Sequence, residues 1–216
     1  MLRIVLIGPG SKEFHFKEIL GIDMEEVEQE EEKIAQALHS ANIEIALLPD
    51  KGISLDIARK FKALGGKVIC LAPLSDKFPG IGHLKQYMET QVNGRLLFDE
   101  FIDTGDWPRQ DLNMALYGDV VLSLGRSPGT EGERQYGVYM YKIVSGFKSG
   151  VSQGIETIHK QARAGKTIPY TIVIYTPFFS SKLPLEDEAY AKRFGVNLVH
   201  IKNSGELEKR LRDLNV

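Results

Sequence analysis

The stretch Asp119-Val-Val-Leu-Ser-Leu-Gly-Arg-Ser-Pro-Gly-Thr-Glu-Gly-Glu133 decides the fold of this chain. Its residues 120–124 are mostly apolar and as long as a strand, which predicts a strand buried in a sheet. A turn rich in Gly and Pro follows, and Thr130 and Glu133 have the spacing of a capping box, which predicts a helix that begins at Thr130. Because a helix N-terminus carries unpaired N–H groups and partial positive charge, this turn is a candidate phosphate site.

Strand-like runs and helical periodicities alternate on both sides of this stretch. The predicted strands are 2–7, 43–48, 67–72, 120–124, 170–175 and 196–201. The predicted helices are 24–41, 54–64, 108–117, 130–148, 151–164 and 206–214. In the second helix we expect Ser54 to be the cap and Leu64 to face inward. Between Pro73 and Trp107 the pattern is less regular, with a helix over 83–89 and an extended piece over 96–102.

Strands that are nearly all apolar and alternate with helices indicate a parallel sheet covered on both faces. We therefore predict an α/β fold, a Rossmann-like doubly wound and mostly parallel sheet of about seven strands. No repeat or linker interrupts residues 1–216, so we expect a single domain. In such folds ligands bind at the carboxyl ends of the strands, where the Gly-rich turns lie.

Composition narrows the function classes. The net charge is −2 and no long basic cluster occurs, which argues against a dedicated nucleic-acid binder on electrostatic grounds. Cys70 is the only cysteine and lies in an apolar run, and the five histidines lack metal-ligand spacing, so no metal or cofactor is expected. Neither a signal peptide nor an apolar stretch of about 20 residues is present, which predicts a cytoplasmic protein without membrane contact.

The turns, taken in order, resemble the nucleotide-binding superfamily of the Lonely Guy phosphoribohydrolases. That superfamily includes the core of DNA-processing protein A and proteins labelled lysine decarboxylase-like. Its hallmark is Pro-Gly-Gly-x-Gly-Thr-x-x-Glu after a strand. Gly129, Thr130 and Glu133 match the last three fixed positions, whereas Gly125, Arg126 and Ser127 replace Pro-Gly-Gly.

Further parts of the chain carry the same resemblance. The opening Ile4-Val-Leu-Ile-Gly-Pro-Gly-Ser11 is similar to the first strand and its Gly-Ser turn. Gly52, with Gly65-Gly66-Lys-Val68 after it, resembles the second turn and the start of the next strand, although Pro49-Asp-Lys51 replaces the family's Thr-Gly-Gly. Thr104-Gly105 and Arg109 resemble the segment that carries the family's catalytic arginine.

The resemblance implies a nucleotide-binding protein that hydrolyses the N-glycosidic bond of a nucleoside 5′-monophosphate. The implied catalytic residues are Arg109 and Glu133. Such a bond breaks through an oxocarbenium-like state, which a carboxylate stabilises or supplies with an activated water. The expected phosphate- and nucleotide-binding residues are Gly8, Gly10, Ser11, Gly52, Gly125, Arg126, Ser127, Gly129 and Thr130.

Several alternatives stay open at the level of the sequence. Glu133 is a ligand-facing carboxyl, the capping partner of Thr130, or both. Arg126 either fills the space of a glycine or holds a phosphate by its charge. His15 and Lys12 lie beside the first turn, and Lys51 lies beside the second, within reach of a ligand.

Other functions compete with hydrolysis. A non-catalytic sensor of a nucleotide or another phosphorylated ligand fits the altered hallmark, and a single-stranded DNA binder of the DNA-processing type fits less well. The acidic run Glu25–Glu32 is interpreted as a solvated helix face. The face with aromatic residues and Met from Tyr136 to Phe147 suits an interface between two copies of this chain. We therefore expect a homo-oligomer, specifically a dimer.

Overall fold

A computed structural model describes residues 1–77, 79–146 and 170–215 of the chain. Its strands are β1 (Arg3–Ile7), β2 (Glu44–Leu47), β3 (Lys67–Ala72), β4 (Gln91–Val92), β5 (Arg95–Leu96), β6 (Glu100–Asp103), β7 (Val120–Ser123), β8 (Thr171–Tyr175) and β9 (Asn197–Ile201). Within the described residues seven of them form one sheet in the order β6-β3-β2-β1-β7-β8-β9, and every neighbouring pair is parallel. A separate antiparallel hairpin consists of β4 and β5.

Helices connect the strands and cover the sheet on both sides. The α-helices are α1 (Met24–Ser40), α2 (Ile53–Ala63), α3 (Lys85–Met88), α4 (Trp107–Tyr117), α5 (Pro128–Gly146), α6 (Leu185–Arg193) and α7 (Ser204–Leu214). A π-helical segment spans Glu13–Ile19, and 3-10 turns span Pro79–Leu84 and Thr176–Phe178.

Two hydrophobic clusters lie on opposite faces of the sheet. Alternate residues of β1 divide between them, because side chains along a strand point to the two faces in turn. Ile4 and Leu6 pack with side chains of α1, α2 and α7, whereas Val5 and Ile7 pack with side chains of α4, α5 and α6. Both faces of the five inner strands are therefore buried, whereas the edge strands β6 and β9 are partly exposed, and the predicted doubly wound α/β fold is confirmed.

The strand order reverses between β1 and β7. From β1 the chain continues outward through β2, β3 and β6, and from β7 it continues through β8 and β9 in the other direction. The two central strands are in register, with Ile7 paired with Ser123 at their carboxyl ends. The loops that follow β1 and β7 diverge at this point and leave the crevice in which α/β proteins bind ligands.

Two predicted helix starts are wrong. Helix α2 begins at Ile53 with Gly52 at the cap position, and the φ angle of Gly52 is 122°, so Ser54 is not the cap. Helix α5 begins at Pro128, whose fixed φ suits a first helical position. Leu64, expected to face inward, is the residue at the end of α2 and is 43% exposed.

The irregular stretch before α4 was only partly predicted. The expected helix over 83–89 is the 3-10 turn and the one-turn α3, and the extended piece over 96–102 divides between the hairpin and β6. The π-helical segment and α6 were missed, because neither has a clear apolar period. The predicted helix over 151–164 lies outside the described residues.

Candidate ligand-binding site

A cavity of about 320 Å³ opens at the carboxyl ends of β1, β2 and β7, at the crevice between the two central strands. This volume lies at the lower end of the range of about 300–1,000 Å³ that small-molecule sites occupy. The residues that line it are Leu6, Ile7, Gly8, Gly10, Leu48, Asp50, Lys51, Ser54, Trp107, Asp111, Met114, Ser127, Gly129, Thr130 and Glu133.

The first turns of two helices form one side of the cavity. Ser54 belongs to the start of α2, and its hydroxyl oxygen is buried without a hydrogen-bond partner among the described residues. At the start of α5 the Ser127 hydroxyl accepts a hydrogen bond from the Thr130 backbone N–H at 3.2 Å. The hydroxyls of Ser127 and Thr130 are 2.8 Å apart. Ser127, rather than Thr130, therefore caps α5.

Two glycines with positive φ hold these turns close together. A side chain at Gly52 would lie 2.4 Å from the Pro9 carbonyl oxygen, and one at Gly125 would lie 2.7 Å from His15 Nε2. Their φ angles are 122° and 130°, which other residues rarely adopt. Both glycines shape the cavity without lining it.

His15 connects three loops beneath the cavity. Its Nε2 lies 3.2 Å from the Phe178 carbonyl oxygen and 3.4 Å from the Arg126 backbone nitrogen. The ring is 5% exposed, and burial lowers its pKa below the usual value. The ring does not line the cavity, so its role here is to hold the turn after β7.

Arg126 faces away from the cavity. Its Nε donates to Glu131 Oε1 at 3.1 Å, and Glu131 also pairs with the buried Arg134. Arg134 in turn contacts Asp187 of α6 at 3.0 Å. The substitution of a glycine by Arg126 therefore leaves the cavity open, and in this conformation the guanidinium does not bind a ligand there.

Glu133 is the buried carboxyl of the cavity. It is 7% exposed, and no hydrogen bond or ion pair of its carboxyl occurs within the described part of the chain. Burial raises its pKa well above the ordinary value, and the nearby charge of Asp111 acts in the same direction. Because Ser127 caps the helix, the interpretation of Glu133 as the capping partner of Thr130 is wrong, and its carboxyl faces the cavity.

Helix α4 supplies the opposite wall. Trp107, Asp111 and Met114 are spaced by four and three residues, so they share one helix face, and all three line the cavity. Arg109 lies on another face. Its side chain is 67% exposed, and its Nε is 3.5 Å from Asp106 Oδ2. The structure does not bring Arg109 together with Glu133, and Asp111 stands on the cavity wall instead.

Sequence reasoning missed Trp107 and Asp111, although a signal was present. Once 108–117 is predicted to be helical, the spacing of Trp107, Asp111 and Met114 marks one partly polar face next to the crevice. Arg109, the arginine that the resemblance implies, lies on a different face of this helix.

Lys12 is held beneath the first turn by two carboxylates. Its Nζ lies 2.5 Å from Glu31 Oε1 and 2.7 Å from Asp56 Oδ2. Glu31 is 1% exposed, so the prediction that the whole run Glu25–Glu32 is solvated is wrong at this residue. Lys12 thus has two anionic partners, and it is not among the residues that line the cavity. Lys51 does line the cavity.

The predicted ligand residues divide into two groups. Those that line the cavity are Gly8, Gly10, Ser127, Gly129, Thr130 and Glu133. Those that do not are Ser11, Gly52, Arg109, Gly125 and Arg126. Within the described ranges no three His, Cys, Asp or Glu side chains form a metal-binding group, and no helix there is both long and apolar enough to cross a bilayer.

Comparison with known proteins identifies the fold. No protein-family model and no curated protein matches the chain. The structure is similar to TM1055, a structural-genomics target, with a TM-score of 0.60, 12% identity and 99% of each chain covered. It is also similar to the molybdenum cofactor carrier protein of Chlamydomonas reinhardtii, with a TM-score of 0.56, 13% identity, and 99% of this chain and 97% of that chain covered.

A third solved structure agrees with these two. The molybdenum cofactor binding protein of the phototrophic bacterium Rippkaea orientalis has a TM-score of 0.57 and 12% identity, over 100% of this chain and 98% of that chain. At such low identity a likeness establishes the fold alone. The Rossmann-like architecture expected from the resemblance of the turns is thereby confirmed for the described residues.

Proposed function

We propose that this chain binds a nucleoside 5′-monophosphate in the cavity between β1 and β7. One observation carries the proposal: the first turns of α2 and α5 meet at a cavity that also contains the buried carboxyl of Glu133. The phosphate lies at the two helix N-termini, where N–H groups and partial positive charge favour an anion.

Several groups are needed for useful affinity. One helix N-terminus contributes about 0.3–1 kcal/mol, whereas micromolar binding corresponds to about 8 kcal/mol. The second helix N-terminus, the Ser54 hydroxyl and the Lys51 ammonium are the additional groups on this side of the cavity. A phosphate oxygen takes the place of the Ser127 hydroxyl as acceptor of the Thr130 N–H, and the Ser127 hydroxyl then donates to the phosphate.

Glu133 is the group that suits hydrolysis of the N-glycosidic bond. It follows Thr130 by three residues, or about 4.5 Å along the helix, which places its carboxyl next to the sugar of a ligand whose phosphate lies at Thr130. A raised pKa keeps the carboxyl protonated closer to neutral pH. The C1′–N bond breaks as Glu133 donates its proton to the departing base; a water molecule then bonds to C1′ of the sugar and gives one proton to the Glu133 carboxylate, which restores the acid.

The test is a turnover assay with the common nucleoside monophosphates, with detection of free base. We expect release of base by the wild-type chain and none above background by Glu133→Gln. Glu186→Gln changes an exposed carboxyl of α6 and serves as the matched control with wild-type turnover. Equal turnover by Glu133→Gln and the wild type would eliminate the proposed reaction.

A second candidate is a carrier or sensor that binds a phosphorylated ligand without reaction. The outward position of Arg109 favours it, because the arginine implied by the resemblance does not reach the cavity. The names of two fold neighbours, a carrier and a binding protein for the molybdenum cofactor, agree with such a role. Saturable binding of a nucleoside monophosphate with no release of base from any of them would select this candidate.

We also propose that the chain forms a homo-oligomer through the outer face of α5. Tyr136 and Tyr139 are 46% and 55% exposed there, whereas Met140 is buried. The side chains of Ile143 and Phe147 lie outside the described residues. Light scattering at micromolar concentration should give at least twice the monomer mass, and a monomer mass would contradict the proposal.

A further inference from the structure

The two sides of the cavity differ in charge. The side formed by α2 and α5 offers helix N-termini, hydroxyls and Lys51. The side formed by α4 offers the carboxyl of Asp111 and the indole of Trp107, and Asp50 lies at the same cavity. A phosphate bound against α4 would meet carboxylates. A ligand that fills the cavity therefore has its anionic group at the helix N-termini and a different kind of group at α4.

Trp107 presents an aromatic surface at the mouth of the cavity. It is 39% exposed, although most tryptophans are largely buried. Two contacts hold it in position. Its backbone N–H donates a hydrogen bond to Asp76 Oδ2 at 2.6 Å, and its ring packs edge-on against the His83 ring with 6.0 Å between the ring centroids. His83 Nε2 also lies 3.6 Å from Asp50 Oδ2, which holds the segment before α3 against this wall. A fixed, exposed indole is a stacking surface for a flat ring.

Asp111 presents an acceptor one helical turn deeper. Within the described residues its carboxylate has no hydrogen bond or ion pair, whereas Asp50 is in contact with His83. Burial raises the pKa of Asp111. Glu133, more than nine-tenths buried and likewise without a partner among the described residues, faces the same space. Glu133 is buried and Asp111 is half-buried. Carboxyls that lose water without gaining a partner are costly, and a ligand with N–H donors would satisfy them.

We infer that the α4 wall is the base-binding end of the cavity and that it selects an amino-substituted nitrogen heterocycle, with the ring face on Trp107 and an N–H edge on Asp111. The two oxygens of one carboxylate match two adjacent donors, such as the ring N–H and the exocyclic amine of guanine. A base that offers only carbonyl oxygens at this edge leaves Asp111 without a partner. This inference rests on the proposed function, since it assumes that the phosphate lies at α2 and α5.

Calorimetric titration of the wild-type chain with four ligands tests the inference. GMP has the ring N–H and the amine, IMP lacks the amine, ribose 5-phosphate lacks the base, and guanosine lacks the phosphate. We expect GMP to bind about ten-fold more tightly than IMP, and much more tightly than ribose 5-phosphate, because each good paired contact or stacked base contributes a factor of this order. Equal affinity for GMP and IMP would overturn the selection by Asp111.

Two variants locate the contacts. Asp111→Asn should weaken GMP about ten-fold, which is the size of one paired contact, and leave ribose 5-phosphate unchanged. Trp107→Ala should also weaken GMP about ten-fold through loss of stacking. Asp213→Asn and Tyr190→Ala, on exposed positions of α7 and α6, are the matched controls with wild-type affinity. Equal loss of GMP and ribose 5-phosphate affinity in Asp111→Asn would assign Asp111 a purely structural role and contradict the inference.

Failure of the proposed function has a different signature. If guanosine binds as tightly as GMP, the phosphate subsite is wrong while the base-binding wall stands. If ribose 5-phosphate binds as tightly as GMP, the phosphate subsite stands and the base-binding wall is wrong. If none of the four ligands binds at millimolar concentration, both proposals fall together.

Discussion

Glu31 and Glu133 are both buried carboxyls, 1% and 7% exposed, yet their surroundings differ completely. Glu31 contacts the Lys12 ammonium at 2.5 Å, and Asp56 completes the group from α2. Glu133 faces a cavity and has no partner within the described residues. Burial raises the pKa of both carboxyls; at Glu31 Lys12 offsets part of the effect, whereas at Glu133 the charge of Asp111 adds to it.

We propose that this difference separates a structural carboxyl, Glu31, from a functional one, Glu133. Glu31, Lys12 and Asp56 join the first turn to α1 and α2, and so hold the loop that forms one edge of the cavity. A buried carboxyl without a partner lowers stability and persists where it has another role. Substitutions at or next to the two carboxyls separate these roles.

The largest expected effect is on turnover. Glu133→Gln should reduce release of base by about 10²–10⁴-fold, the usual contribution of a positioned proton donor. Glu31→Gln should retain turnover in the molecules that fold. The comparison is made by steady-state assay at equal folded concentration. Similar losses in both variants would remove the distinction between the two carboxyls.

The next effect is on stability at the partnered carboxyl. Lys12→Met leaves Glu31 buried without a cation and should lower the free energy of unfolding by about 3–5 kcal/mol. The control is Lys33→Met, which breaks the exposed pair with Glu30 and should cost less than about 1 kcal/mol. Urea denaturation of both variants measures the difference. Equal losses would show that the Lys12 group has no special structural role.

A smaller, pH-dependent effect is expected at the carboxyl without a partner. Because the folded pKa of Glu133 is raised above its unfolded value of about 4.5, the unfolded chain ionises first as the pH rises. The wild type should therefore lose about 1.4 kcal/mol of stability per pH unit through this group between the unfolded and the folded pKa.

Glu133→Gln removes that dependence. Its stability relative to the wild type should rise from pH 4 towards neutral pH, as followed by urea denaturation at several pH values. A constant difference across this range would show that Glu133 ionises normally in the folded chain.

The smallest effect is expected at Arg109. Its side chain is exposed and pairs only with the neighbouring Asp106 among the described residues, so Arg109→Ala should change stability by less than about 1 kcal/mol. Affinity for a nucleoside monophosphate should stay within about two-fold, since truncation of a side chain that binds the ligand would weaken binding far more. A ten-fold weaker affinity would instead show that Arg109 contacts the ligand, as the resemblance implies.

The fold could be predicted from the sequence because the inner strands of the sheet are buried on both faces, and so appear in the sequence as continuous apolar runs. Val120 to Leu124 and the other apolar runs allow few alternatives, and the Gly-rich turns mark the ends of the strands. The turn after β7 lies next to the cavity, and three of its residues, Ser127, Gly129 and Thr130, line it. Their role as phosphate ligands is a prediction.

The errors concern side-chain direction, which sequence spacing fixes only when the helix phase is known. Arg109 and Asp111 differ by two residues and so point about 200° apart, which decides which of them lines the cavity. Glu31 can be buried because it pairs with Lys12, which is distant in sequence. Since Glu31 lies within a run of acidic residues, the sequence pattern does not distinguish it from its exposed neighbours. The cap at Ser127 was missed because Thr130 and Glu133 imitate a capping box.

The most direct test of the central claim is a crystal structure of the chain with a bound nucleoside monophosphate. We expect the phosphate within hydrogen-bonding distance of the Thr130 N–H and the Ser54 hydroxyl, with the sugar against the Glu133 carboxyl. A ligand bound outside the cavity, or a phosphate placed against α4, would contradict it.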